Sequence, residues 1–331
     1  MSGPFFEIPP RVLSGETADV YFLRTREILE KEGLNPVVDM DIFSNGQGVL
    51  CGIKEAEALL REVLPPGAEV WALAEGEQFS PKETVLRVHA PYLSFGIYET
   101  ALLGMLAHCS GWATAARQCV EAANGVPVIS FGARHVHPKV SDVMEYAAIV
   151  GGCVTGATPA GAALAGRAPA GTMPHAMILI FGDTVKATLA FDRHMPPEVT
   201  RISLVDTFKD EVEESLRVAR VLGERLQGVR LDTPWERGRV TADLVKEVRV
   251  WLDLEGYRHV KIFVSGGLDP ERIAYFLAHG APVDGFGVGS YIAGARPIDF
   301  TADIKAIEGR PVAKRGRLPG PAPNPRLRRI I

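Results

Sequence analysis

Five times between residues 126 and 290 a short apolar run ends in a polar or glycine-rich turn: VPVISFGAR, RISLVDTF, GVRLDTP, HVKIFVSGGLD and VDGFGVGS. A helix-like segment generally follows, as in KDEVEESLRVARVLGERLQG, TADLVKEVRVWLDLEG and PERIAYFLAHG. Short apolar runs alternating with amphipathic helices specify parallel βα units, because a strand covered on both faces loses the apolar–polar alternation of a half-exposed one. No fixed-length repeat accompanies the pattern, which excludes a solenoid. The number of units fits an irregular parallel α/β barrel, with an open doubly wound sheet as the competing architecture.

The N-terminal third reads differently. ETADVYFLRTREILEKEG predicts a helix capped by Thr17 and stopped by Gly33. PVVDMDIF, AEVWALAEG and ETVLRVHAP predict strands around a helical EAEALLREVLPP. The expected organisation is an N-terminal helix with a smaller β-rich domain over residues 1–110, the α/β barrel over 111–305, and a basic tail over 306–331. After Glu308 there is no acidic residue, and Pro319, Pro321, Pro323 and Pro325 break any helix. The last part of this tail is expected to be a solvated terminus, whereas PVAKRG, with Lys314 and Arg315, could reach an anionic ligand.

A formal net charge of −4 provides no basic excess to neutralise phosphates along a duplex, so a nucleic-acid partner is not expected. AMILIFG is far too short to span a bilayer, and MSGPFFEIPP lacks the cationic start and long apolar run of a secretory signal. Cys51, Cys109, Cys119 and Cys153 form no CxxC pair, which suits reduced thiols. These features predict a cytoplasmic protein with no membrane partner.

The polar residues of the βα units sit at or just past the C-terminal ends of the predicted strands: Arg134, Asp206, Arg230, Asp232 and Ser265. In a parallel barrel those ends converge on one face. Ser265, Gly266 and Gly267, then Gly287, Val288 and Gly289, form glycine turns on consecutive units, where backbone N–H groups can approach a phosphate. Asp206 and Asp232 repeat an Asp-Thr pair, fit for a divalent cation, ribose hydroxyls or helix capping. Arg134 can clamp a carboxylate or phosphate. His135 and His137 lack a third ligand for zinc. Phe131 and Tyr21 could sandwich a flat ring or simply pack in a core. His175, between a glycine-proline loop and an apolar run, reads by itself as structural.

Taken together, ADVYFLRT, SFGARH, GTMPHA, LVDTF, VRLDT, VSGGLD, FGVGS and RPVAKRG make the chain similar to the nicotinate phosphoribosyltransferase family from about residue 17 to 316. That family groups with the nicotinamide and quinolinate enzymes as type II phosphoribosyltransferases. The resemblance implies an irregular α/β barrel with a β-rich domain, in dimers or larger assemblies that share active sites. It implies nicotinate and 5-phosphoribosyl 1-diphosphate as substrates, Mg²⁺ on Asp206 and Asp232, and Tyr21 stacking on the pyridine across the interface, opposite Phe131. Arg134 and Arg230 would contact the substrates, assisted by His135, Lys314 and Arg315, and the glycine turns would cradle the 5′-phosphate. His175 aligns with a histidine that ATP phosphorylates in related enzymes, which implies ATP coupling. Two departures stand out: Arg134-His135 replaces the usual Arg-Arg, and the loop GGCVTGA lacks the aspartate of nicotinamide-type relatives. The expected activity is ATP-coupled nicotinate phosphoribosyl transfer. The alternatives are the nicotinamide or quinolinate reaction, a barrel lyase or isomerase using Lys186 or Lys209, or an inactive binding protein.

Overall fold

The structure, a computed structural model, describes residues 6–331, so the first five residues of MSGPFFEIPP lie outside it. The chain divides into two compact units. One holds the chain up to residue 115 together with 163–166 and 295–331, and the other holds 116–162 and 167–294.

The first unit is built on a six-stranded antiparallel sheet in the order Arg310–Pro311, Phe300–Ile307, Val37–Ser44, Thr84–Pro91, Glu69–Ala72, Arg328–Arg329. The alternation in TVLRVHAP places Leu86, Val88 and Ala90 on the face that Val38, Met40, Ile42, Val70 and Ala72 also bury. Helix Ile53–Val63 closes that face with Ile53, Ala56, Leu59 and Leu60, a helical spacing that puts all four on one side. Helix Val20–Glu32 ends where Gly33 takes a left-handed φ of 66°, as the sequence predicts. Its N-cap position is Asp19 rather than Thr17, and the Asp19 N–H donates to Thr100 Oγ1 at 3.0 Å.

The basic C-terminal stretch is docked on this unit rather than left free in solvent. Arg326 pairs with Glu83 at 2.8 Å and Glu77 at 3.0 Å, Arg329 pairs with Glu69 at 2.9 Å, and Arg328–Arg329 hydrogen-bonds along Trp71–Ala72. At the centre of the docking is Asp41, almost wholly buried. Its carboxylate accepts from Arg87 at 2.5 and 2.9 Å, from Thr84 Oγ1 at 3.2 Å and from the Ala322 N–H at 3.1 Å.

The second unit contains five parallel strands in the spatial order Val128–Ser130, Gly285–Val288, Lys261–Val264, Gly228–Leu231, Ile202–Leu204. All five apolar runs of the sequence pattern are strands, and the three amphipathic stretches are helices Glu211–Leu222, Ala242–Leu254 and Pro270–Ala278. Beyond Val128–Ser130 the pairing continues through residues 154 and 155: the Val154 N–H donates to Val128 O at 2.8 Å, and the Ser130 N–H to Thr155 O at 3.1 Å. This unit is a parallel, barrel-like α/β fold and the first is a small β-rich one, as expected. AMILIFG falls mostly within a short helix, His175–Phe181. No helix among the described residues is long and apolar enough to cross a membrane.

Two rings lie inside the parallel sheet, and glycine makes room for each. A Cβ on Gly287 would stand 2.3 Å from Phe131. Cβ atoms on Gly228 and Gly285 would stand 2.9 and 2.7 Å from Phe263.

Replacing Asp41 with Ala would leave Arg87 uncompensated and release the C-terminal stretch. Breaking a buried pair from one side costs about 3–5 kcal/mol. Denaturant unfolding of Asp41→Ala should show a loss of that size, with the C-terminal stretch becoming open to protease.

Candidate functional site

Parallel pairing brings the C-terminal ends of all five strands to one end of the second unit, and the contacts there are close. Ser265 Oγ donates to Asp232 Oδ1 at 2.9 Å, and a Cβ on Gly266 would stand 2.8 Å from the same oxygen. Across the face, a Cβ on Gly289 would meet Phe131 O at 3.0 Å and His135 Nε2 at 3.1 Å. The turns after the first, third, fourth and fifth strands in chain order therefore open on one face. The helix that starts at His175 brings Asp206, from the turn after the second, to the same cluster.

A cavity of about 960 Å³ runs through the unit from that face, lined by Ile129, Phe131, Arg230, Phe263, Phe286 and the loop Ala168–Thr172, and at the opposite ends of the strands by Glu198, Glu224, Gln227, His259 and Lys261. A recess of about 280 Å³ shares Phe131, Thr172 and Arg230 with it and adds Arg134. Glu145, fully buried, anchors the start of this loop region by accepting from Ala157 N at 2.7 Å, Thr158 N at 2.8 Å and Thr158 Oγ1 at 2.5 Å. Ala168–Thr172 carries no titratable group, so nothing in the sequence marks it as part of a site.

Arg230 is the central cation, with its side chain 14% exposed. Nη2 donates to Met173 O at 3.1 Å, Nη1 reaches Ser265 Oγ at 3.4 Å, and the guanidinium sits 5.8 Å from the centre of the Phe131 ring. Asp232, two residues on, is 3.8 Å away, and the buried Nε has no hydrogen-bond partner among the described residues. Burial pulls the guanidinium below its ordinary pKa, against the attraction of Asp232 and Asp206. A buried N–H without an acceptor costs about 1–3 kcal/mol, a cost that an anionic ligand would remove.

His175 Nε2 lies 3.1 and 3.0 Å from the two oxygens of Asp206, whose side chain is fully buried. That hydrogen bond raises the imidazole pKa above its usual value, against partial desolvation. His137 accepts from the Lys139 N–H at 3.1 Å and so caps the next turn, a structural role. Tyr21, Lys314 and Arg315 belong to the other unit. Lys209, just before helix Glu211–Leu222, pairs with Glu213 in its first turn. Arg239, which the sequence reading passed over, lies against the glycine turn, with Nη1 3.3 Å from a Cβ position on Gly267.

The magnesium assignment does not survive. Asp206 is engaged by His175 and Asp232 by Ser265, and the described residues contain no group of three or more His, Cys, Asp or Glu able to hold a metal. The carboxylates present do not fit that ion, and no chemistry is assigned to it.

The quinolinate phosphoribosyl transferase family accounts for both units: its N-terminal domain model matches residues 19–110 and its C-terminal domain model residues 112–303. A crystal structure of nicotinate-nucleotide pyrophosphorylase from Pyrococcus furiosus is 46% identical, covers 97% of this chain and 82% of its own, and superposes with a TM-score of 0.88. A nicotinate phosphoribosyltransferase of Mycobacterium tuberculosis is 33% identical over 73% of this chain and 52% of its own length. The human carboxylating nicotinate-nucleotide pyrophosphorylase is 32% identical over 34% of this chain and 38% of its own. The chain spans about half the length, or less, of these two curated relatives.

These likenesses overturn the expectation of ATP-coupled nicotinate transfer. The matching domain models and the 46% identical structure are of the quinolinate type, whose reaction has no ATP step, so a phosphorylated His175 has no place in it.

Titrating the His175 imidazole by NMR should give a pKa above about 6.5, and Asp206→Asn should bring it back toward that value. Because the folded pKa is raised, the pair adds its full stability below the unfolded value and loses it as pH rises through the folded one.

Proposed function

Because the chain belongs to the quinolinate phosphoribosyl transferase family, we propose that it transfers the 5-phosphoribosyl group of 5-phosphoribosyl 1-diphosphate to the ring nitrogen of quinolinate, releasing diphosphate and carbon dioxide and leaving nicotinate mononucleotide. The observation that carries the reading is the buried Arg230, with an unpaired N–H, beside an aromatic ring in an apolar-walled cavity. A flat, anionic heteroaromatic ring suits all three features. The 46% identity to a nicotinate-nucleotide pyrophosphorylase over nearly the whole chain supports the same reaction type.

In this reaction the pyridine nitrogen attacks C1′ of the ribose while the bond to diphosphate breaks, through a state with positive charge on the sugar. The carboxylate at C2 then leaves as carbon dioxide; its bonding electron pair stays on C2 and takes up a proton. The nucleophile is already a base, so the protein's work is alignment and charge placement. Arg230 and Arg134 receive ring carboxylates, and Phe131 lies beneath the ring. Asp232, oriented by Ser265, accepts from ribose hydroxyls. The turns Ser265–Gly267 and Gly287–Gly289 take the 5′-phosphate, with His135 beside the second. His175, whose protonated form Asp206 favours, adds positive charge for the anionic substrates.

The working unit is proposed to be a dimer. Val20, Tyr21, Ile28 and Leu34 are exposed on or beside helix Val20–Glu32, and Leu179, Ile180 and Phe181 are exposed on helix His175–Phe181, Ile180 at 83%. Apolar side chains left in water on both elements mark surfaces for another chain. In this arrangement Tyr21 of one protomer completes the ring site of its partner.

Incubation with 5-phosphoribosyl 1-diphosphate and quinolinate, without ATP, should yield nicotinate mononucleotide and labelled carbon dioxide from the C2 carboxylate. Turnover of nicotinate or nicotinamide with no reaction of quinolinate would falsify the assignment. Arg230→Ala should lower kcat/KM about 10²-fold, the scale of losing a charge-assisted carboxylate contact. Activity should decline as pH rises through the raised His175 pKa. Mixing inactive Tyr21→Ala and Arg230→Ala proteins should restore about a quarter of normal activity, since half of randomly paired dimers carry one intact site of two.

A further inference from the structure

We infer that Arg239 is a phosphate-binding residue that holds the 5′-phosphate of the ribosyl donor against the Ser265–Gly267 turn. The inference rests on the phosphoribosyl-transfer reading, and extends it to a residue that no sequence motif marks.

The backbone is the first sign. Beyond strand Gly228–Leu231 the chain passes through the turn Trp235–Arg237 and then takes two left-handed residues in succession, Gly238 at φ 86° and Arg239 at φ 64°. Glycine adopts this region freely, but arginine does so at a cost. The other described non-glycine residues with positive φ are Lys82, Asn124 and Glu308. Each of those lies in a tight connection between strands or just past a helix end. Arg239 likewise follows a helical turn: the Gly238 and Arg239 N–H groups close that turn on Trp235 O at 2.9 Å and Pro234 O at 3.1 Å. The two left-handed residues end the turn before helix Ala242–Leu254, capped by Thr241, and fix the side chain's destination.

That destination is the glycine turn. The Arg239 guanidinium stacks over Trp235 at 5.5 Å from the ring centre, and Trp235, 74% exposed, provides the shelf. Its Nη1 and Cζ lie 3.3 and 3.4 Å from a Cβ position on Gly267. Arg237 and Arg230 have acids at 3.7 and 3.8 Å, in Glu211 and Asp232, while no ion pair within 4.0 Å is found for Arg239 among the described residues.

The turn itself is polarised. Gly266 and Gly267 have φ of 93° and 63°, and among the described residues neither N–H has a backbone acceptor outside regular elements. The carboxylate of Asp232 stands against Gly266, and the guanidinium of Arg239 against Gly267. A sugar phosphate fits this in one direction only: hydroxyl donors toward Asp232, phosphate oxygens toward Gly267 and Arg239. The start of helix Pro270–Ala278 does not compete, because Asp269 already accepts its Arg272 N–H at 2.8 Å. Guanidinium offers paired N–H donors to phosphate oxygens, an arrangement lysine cannot copy.

The test is calorimetric titration of the whole protein with ribose 5-phosphate and, separately, with diphosphate. Arg239→Gly is the informative variant, since glycine accepts the φ of this position. Its affinity for ribose 5-phosphate should fall about tenfold or more, diphosphate binding should hold within about threefold, and the melting temperature should stay level or rise. Arg239→Lys should bind ribose 5-phosphate with intermediate affinity. Unchanged ribose 5-phosphate affinity in Arg239→Gly overturns the inference, as does a loss confined to diphosphate. A lower melting temperature with affinity intact assigns Arg239 a purely structural role and equally overturns it. Ribose 5-phosphate carries no acceptor ring, so a wrong choice of pyridine substrate would leave this result untouched. Wild-type protein that binds no ribose 5-phosphate would remove the phosphoribosyl reading along with the inference.

Discussion

Parallel pairing of five short strands is the constraint from which the site follows. Strands that run the same way end at the same edge, so residues from 131 to 289 meet without any local segment having to specify the meeting. The price is crowding inside a small sheet, and glycine relieves it. Gly287 leaves space for Phe131, and Gly228 with Gly285 leaves space for Phe263, so the interior keeps flat apolar walls and a cavity instead of filling with branched side chains. Gly287, which reads as a turn former in the sequence, thus acts through the room it leaves.

Charge at the strand ends is arranged in pairs of unequal exposure. Asp206 is buried and His175 partly open, Asp232 is steadied by Ser265, and Arg230 keeps one buried N–H without a partner. A fully neutralised cluster would be a structural network. This one retains unspent positive capacity at Arg230, raised basicity at His175 and a guanidinium at Arg239 beside a glycine turn, which is what the proposed binding of anionic substrates calls for. The first unit shows the opposite economy: Asp41, Arg87, Glu83 and Arg326 satisfy one another and tie the C-terminal stretch to the sheet.

The βα units were legible because burial on both faces leaves a composition signal, and the polar residues at their ends were legible because turns are short. VPVI, RISLV, GVRL, KIFV and GFGV each contain an observed strand, and Arg134, Asp232, Ser265 and Gly289 lie on the shared face. Capping was less legible: Thr17 and Asp19 are both fit to cap a helix, and the choice fell to Asp19, which Thr100, far along the chain, holds by a hydrogen bond. The arginines after Pro319 looked solvated because their acids, Glu69, Glu77 and Glu83, are distant in sequence. Arg239 left no trace, since a single arginine beside a glycine is common and only its place against Gly267 and Trp235 distinguishes it. ATP coupling was inferred from the alignment of one histidine, which the same histidine bound to a buried aspartate accommodates without any phosphate.

The sequence by itself determined the parallel α/β class, the separate β-rich part and the polar residues that stand at the strand ends, because periodicity and turn chemistry act over a few residues and are written locally. Tertiary structure decided which acids engage which bases, which glycines yield space to rings, and where the C-terminal arginines and Arg239 come to rest. Those outcomes depend on distances between segments separated by tens to hundreds of residues, and no local pattern encodes a distance.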